Sequence, residues 1–224
     1  MSPAGRPAAV AFDVVETLFS LEPVRQRLEA AGGGPMGLDV FFSRMLRDAF
    51  ALVASGGYCP FPELAAAALA ATLPDAGDDT RGYVLAGFSE LPAHPDAEPA
   101  MERLAAAGMP IMCLTNGGAS ATTSLLERNG LDRYVEQVVS VEEVKAWKPV
   151  PVPYHHAAVV AGVAPHELAL IAVHAWDCHG AHRAGLLTGW ASRLEGHFAP
   201  IFDPPDVSGA DLVEVVDGLL ALGK

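Results

Sequence analysis

Ala8-Ala9-Val10-Ala11-Phe12-Asp13-Val14-Val15-Glu16-Thr17-Leu18 is the stretch that decides the fold. An apolar run with no polar alternation reads as a strand buried on both faces, the mark of a parallel sheet. Asp13 then stands at the strand's C-terminal end, where open α/β sheets bind their ligands. Two further runs repeat the pattern. Pro110-Ile111-Met112-Cys113-Leu114 ends at Thr115-Asn116-Gly117-Gly118, and Leu168-Ala169-Leu170-Ile171-Ala172-Val173 ends at His174-Ala175-Trp176-Asp177. Helical patterns lie between and beside them over Ala100–Ala107, Ser120–Asn129, Pro153–Ala161 and His179–Ala184, with Gly130 and Gly185 as C-terminal punctuation. Alternating strand and helix predicts a Rossmann-like α/β core, a parallel sheet covered on both faces, with the three polar strand ends in one crevice.

Residues 21–91 break the alternation. Pro23–Ala31, Leu38–Ala54, Pro62–Thr72 and Asp79–Leu91 all read as helix, punctuated by Gly32-Gly33-Gly34 and Gly56-Gly57. The Ala-rich run Glu63–Ala71 belongs to a tightly packed helix, because Ala is the strongest helix former. We therefore expect a core of residues 1–20 and 92–224 and a helical cap of residues 21–91 over the crevice. The segment Val207–Leu222 reads as one closing helix.

Composition bounds the partners. The 224 residues carry 14 Lys+Arg against 27 Asp+Glu, a formal charge of −13. Nucleic acid and anionic membrane surfaces both demand clustered basic residues, so neither is expected as a partner. With 51% apolar and 18% charged residues the chain is globular. No apolar run approaches the roughly 18 residues of a membrane span, and the start MSPAGRPAAVAFD has one Arg and no long apolar stretch, so a cytoplasmic location is expected. Cys59, Cys113 and Cys178 are an odd number without CxxC spacing, which suggests neither a disulfide framework nor a zinc site. The acidic balance poses a question if the substrate is itself an anion.

The strand ends carry chemistry with two readings each. Asp13 suits a nucleophilic carboxylate, which forms an ester or acyl-phosphate hydrolysed in a second step, and equally an N-cap for the next helix. Thr115 and Asn116 suit the binding of an anionic oxygen, or helix capping. A lysine beside a nucleophilic carboxylate keeps it ionised, and charge alone does not choose Lys148 over Lys145. Asp177 suits the orientation or deprotonation of water, or a cap. His174 suits a bond to Asp13, Asp177 or water, or a buried imidazole satisfied by backbone.

Taken together, Phe12–Leu18, Leu114–Gly117, Ser140–Pro149 with Trp147-Lys148-Pro149, and Val173–Ala181 resemble, in order and spacing, the four motifs of the haloacid dehalogenase superfamily. The similarity extends from about Ala8 to Arg193 and includes the helical insertion after the first motif. Ala175-Trp176-Asp177-xx-Gly180-Ala181, and Tyr154 six residues after Lys148, make it strongest to the type II L-2-haloacid dehalogenases. The resemblance implies that Asp13 attacks a small 2-haloacid and that Thr17, Thr115 and Asn116 hold carboxylate oxygens. It implies further that Lys148 supports Asp13 and that Asp177 helps water cleave the ester. Val14, Val15, Phe42, Phe61, Tyr154, His174 and Trp176 become the expected substrate contacts. It implies no cofactor and commonly a homodimer.

Departures from the family pattern narrow the chemistry. Phosphatases of the superfamily carry a second Asp two residues after the nucleophile as general acid and an acidic magnesium ligand four residues before the last Asp; here these are Val15 and Val173. A hard divalent cation wants several oxygen ligands, so metal-free displacement at carbon is the favoured expectation over phosphoryl transfer. A non-catalytic descendant that binds a small molecule or partner is the third reading. The dehalogenases use a cap arginine to draw off halide, and alignment on Gly56–Phe61 puts Phe42 at its place, with Arg44 and Arg47 nearby but facing other directions. Glu16 replaces the usual Gly of the first motif and is expected to repel an anionic substrate. Ala172 and His174 replace Ser and Asn.

Overall fold

The computed structural model describes residues 5–223; residues 1–4 and 224, included in the expected core, lie outside the described residues. Its strands are β1 (Ala9–Phe12), β2 (Ile111–Thr115), β3 (Gln137–Ser140), β4 (Leu168–Ala172), β5 (Leu187–Ala191) and β6 (Val207–Gly209). They form one parallel sheet in the order β3-β2-β1-β4-β5-β6. Every residue of β1, β2, β4 and β5 is buried, which is why their sequences show no alternation. Strand order reverses between β1 and β4, so their C-terminal ends open the crevice expected of a doubly wound sheet.

Four helices follow β1: α1 (Glu22–Ala30), α2 (Gly37–Ala54), α3 (Phe61–Thr72) and α4 (Asp78–Ala86). The fourth is shorter than expected, ending in a 3-10 turn at Gly87–Ser89, where a Cβ on Gly87 would lie only 3.2 Å from Val24. The Ala-rich α3 does pack tightly, burying Leu64, Ala65, Ala68 and Leu69. The remaining helices are α5 (Ala97–Ala106), α6 (Ala119–Arg128), α7 (Pro151–Ala161), α8 (Ala175–Arg183) and α9 (Leu212–Ala221). One apolar cluster joins a face of the sheet to α5, α9 and the four-helix insertion; the second joins the other face to α7 and α8. Among the described residues no helix is long and apolar enough to cross a membrane.

Two expectations are corrected. Val207–Leu222 is not one helix: Val207–Gly209 pairs with β5, and α9 begins only after Asp211, whose side chain accepts from the Glu214 amide at 2.9 Å. The helix of the fourth motif starts at Ala175 rather than His179, so Asp177 lies inside its first turn and caps nothing. A Cβ on Gly189 of β5 would sit 2.4 Å from Val215 of α9, so the helix crosses this strand only because the side chain is missing.

Candidate active site

The ends of β1, β2 and β4 bring Asp13, Thr115 and His174 to one place. Lys148 arrives from the loop between β3 and α7. Its fully buried ammonium donates to Asp13 Oδ1 at 2.7 Å, Asp177 Oδ2 at 2.6 Å and the Leu114 carbonyl at 3.0 Å. All three of its protons are thereby used. Lys145 is exposed, so geometry makes the choice that charge alone could not. The Lys148 amide donates to Asn116 Oδ1 at 3.0 Å, which turns the Asn116 amide nitrogen outward as a free donor.

Asp13 Oδ2 accepts from Thr17 Oγ1 at 2.7 Å and lies 3.4 Å from His174 Nδ1. Burial alone would raise the Asp13 pKa, but the Lys148 and His174 charges outweigh it and hold the carboxyl far below the ordinary range. Asp177 behaves differently under the same lysine. Burial and the neighbouring Asp13 charge leave its pKa raised despite Lys148. Of the two carboxylates, Asp13 is the one whose pKa is held low and the one that is slightly accessible.

Three expected roles change once the partners are visible. Thr17 is fully buried, donating to Asp13 and accepting from the Val173 amide at 3.1 Å, so it has no bond left for a substrate oxygen. Tyr154 is likewise buried and outside the pocket; its hydroxyl donates to Asp177 Oδ1 at 2.6 Å and orients that carboxylate. Asp177, its two oxygens bonded to Tyr154 and Lys148, is fully buried and does not border the cavity over Asp13. Gly180 makes this arrangement fit, because a Cβ there would sit 2.5 Å from Pro149 and 2.6 Å from the Tyr154 hydroxyl. Gly180→Ala is expected to cost about 1–3 kcal/mol in urea unfolding and to lower activity, as Tyr154 is pushed off Asp177. A variant as stable and active as the parent would refute this packing.

Glu16 does not face the crevice as a bare charge. Its backbone takes a left-handed φ of 65°, the conformation that explains why glycine suits this position. The carboxylate swings to His174 Nε2 at 2.9 Å. Burial would lower the His174 pKa, but Asp13 and Glu16 on its two sides push it up to about 10, so the imidazole is a cation. The expected repulsion is replaced by an ion pair. Arg193, missed as a site residue, clamps the same turn by donating to the carbonyls of Glu16 and Thr17, and it also pairs with Asp96 at 3.1 Å. No local motif marked it, because its partners lie 97 residues or more away in the chain.

The cavity over Asp13 is about 20 Å³, room for about one water. Val15, Thr115, Asn116, His174 and Trp176 wall it from the core loops, and Phe42, Met45, Leu46 and Phe61 wall it from α2 and α3. Val14 is buried and faces an adjoining groove instead. Met45, Leu46 and Trp147 were not anticipated. Trp147 stacks on Phe61 at 6.0 Å with its indole N–H donated to the Cys59 carbonyl, so the Trp147-Lys148 dipeptide fixes both the aromatic wall and the ammonium. Arg44 and Arg47 line the outer side of α2 and reach Thr72 and Asp48, and neither borders the cavity. Thr115 Oγ1 accepts from the Gly117 amide at 2.9 Å, leaving its proton to donate, and neither Thr115 nor Asn116 caps α6, whose N-cap is Gly118.

Fold and site together define a doubly wound α/β protein with a buried carboxylate–lysine centre at the switch point of its sheet. Residues 7–185 match the family model described as haloacid dehalogenase-like hydrolase, and the chain belongs to that family of hydrolases. It is 30% identical over 202 residues to (S)-2-haloacid dehalogenase 1 of Pseudomonas sp. (strain CBS-3), covering 86% of this chain and 89% of the relative. It is 29% identical over 203 residues to (S)-2-haloacid dehalogenase 4A of Burkholderia cepacia, covering 86% and 88%. The solved L-2-haloacid dehalogenase of Xanthobacter autotrophicus shares the fold with a TM-score of 0.85 at 24% identity, over 94% of this chain and 97% of that one.

Proposed function

We propose that this protein hydrolyses the carbon–halogen bond of a small 2-haloacid without a metal, through an ester on Asp13. The observation that carries this reading is an ionised carboxylate held by Lys148 beneath an aromatic and aliphatic chamber. The names of the relatives support it. Magnesium-dependent phosphoryl transfer does not fit: Asp177 is locked to Lys148 and Tyr154, the Val15 side chain supplies no second acid, and the Val173 side chain supplies no oxygen ligand. Among the described residues no group of three or more His, Cys, Asp or Glu side chains could hold a metal ion.

In the first step an Asp13 oxygen bonds to the substrate α-carbon and halide leaves with the electron pair of the broken bond. Thr115 Oγ1 and the Asn116 amide nitrogen are the free donors for the substrate carboxylate. In the second step water attacks the ester carbonyl carbon, Lys148 stabilises the negative charge that develops on oxygen, and Asp13 is regenerated as the 2-hydroxyacid departs. His174, unlike Asp177, borders the cavity and is the group placed to take the water's proton. Esterification removes one of the two anions, Asp13 and Glu16, that hold the His174 pKa up, which moves the imidazole towards the range a base needs.

His174→Gln is expected to slow hydrolysis of the ester more than its formation, lowering kcat by about 10²–10⁴ with a burst of halide and an ester mass on Asp13. Steady turnover without a burst would refute the base role. Residues 21–91 act in this reading as a cap, supported by the cavity wall they supply; the homodimer rests on the resemblance alone and the cytoplasmic location on the sequence pattern alone. The test is halide release from (S)-2-chloro- and (S)-2-bromopropionate in EDTA, with p-nitrophenyl phosphate plus magnesium as control. Halide release in EDTA is expected; magnesium-dependent phosphate release alone would overturn the reading.

A further inference from the structure

The cavity over Asp13 holds about one water, so even a short acid needs space beyond it. Val15, Phe61, Thr115 and Gly117 form a wall shared with a second space of about 410 Å³ that lies between α3, the turn after α4, and α6. That volume falls in the range of small-molecule sites, which are mostly apolar with few polar groups. Phe88, Ala121 and Leu125 are typical of its lining, and no charged side chain borders it, in a chain with 41 Lys, Arg, Asp and Glu. Ala65 and Ala121 leave room across the groove where larger side chains would fill it. The Ala-rich composition of α3 thus has a consequence beyond helix formation.

We propose that this groove is the tail subsite of the Asp13 centre and that the preferred substrates are 2-substituted carboxylic acids with a long alkyl or aryl chain. The inference rests on the reading of Asp13 as the reacting group and adds the class of acid it acts on. A ligand with its carboxylate at Thr115 and Asn116 and its α-carbon over Asp13 meets Val15 and Phe61 next, and these two side chains also line the uncharged groove. A charged or strongly hydrated tail would lose its water there without compensation. An apolar tail gains about fourfold in affinity for each methylene buried.

The experiment uses calorimetric titration with the non-halogenated acids propionate, hexanoate and octanoate, and halide release from 2-bromopropionate and 2-bromooctanoate. Octanoate is expected to bind at least about tenfold more tightly than propionate, and kcat/KM to favour 2-bromooctanoate similarly. Ala121→Leu, an exposed position on α6 where leucine suits the helix, is expected to reduce both ratios about tenfold. Chain-length-dependent binding with no halide from any acid would leave the groove standing and remove the reading of the reaction. Halide release from both acids with no chain-length preference, in the parent and the variant alike, would overturn the groove and leave the reaction. An Ala121→Leu change in oligomeric state with unchanged ratios would assign the surface to a second copy and overturn the proposal. Neither binding nor turnover would overturn both.

Discussion

Asp13→Asn is expected to abolish turnover, lowering halide release by at least about 10³-fold, with no ester detectable by mass on the protein after incubation with substrate. An amide oxygen carries no full negative charge, so it displaces halide poorly. The shape of the site changes little, because Asn still offers an oxygen to Lys148 or Thr17. The charge changes more: Lys148 keeps only Asp177, and His174 only Glu16, as anionic partners. His174 is therefore expected to titrate at a lower pH in this variant than in the parent, which NMR of the imidazole would show. Unimpaired turnover in a folded Asp13→Asn protein would exclude the covalent route.

Lys148→Met is expected to damage both activity and stability. Methionine fills the apolar length of the lysine stem but leaves two buried carboxylates, Asp13 and Asp177, without their shared cation. Removing one partner of a buried ionic cluster costs roughly 3–5 kcal/mol, and loss of the charge that stabilises the ester-cleaving step costs about 10²–10³ in kcat. The pH dependence distinguishes this from mere loss of packing. In the parent, Asp13 titrates below its ordinary value of 3.8, so its contribution is present above that value and lost as pH falls through the folded one. Without Lys148, burial is opposed far less, and both carboxyls are expected above their ordinary values in the folded state. The folded variant then binds protons more readily than its unfolded chain, and its deficit should shrink between pH 7 and pH 5 in urea titrations. A deficit independent of pH would mean that Lys148 acts by packing alone.

The fold was legible where strands are buried on both faces. β1, β2 and β4 are continuous apolar runs, and each ends at the polar residues that make the crevice. β5 was not, because Thr188 and Gly189 interrupt it, and Gly189 is explained only by α9 lying against it. β3 and β6 lie at the sheet edges, are only partly buried, and lack the signal for the same reason. At the site, Asp13 and Lys148 were legible as types, since a carboxylate at a strand end and a lysine before a proline stand out locally. The Glu16–His174 pair, the Arg193 clamp and the Trp147–Phe61 wall were not, because each joins segments far apart in the chain.

The amino-acid sequence by itself determined the order of the strand ends, the helical insertion, the carboxylate at residue 13, and the lack of a second acid at residue 15 and of an acidic ligand at residue 173. Those are properties of residue type and local pattern, which a chain carries before it folds. Tertiary structure alone decided that Thr17, Tyr154 and Asp177 are occupied supporting groups, that the charge of Glu16 is answered by His174, and that an uncharged groove opens beside the reacting carboxylate. A hydroxyl or carboxylate has few bonding positions, and packing across the whole sheet determines which of them remain for a substrate.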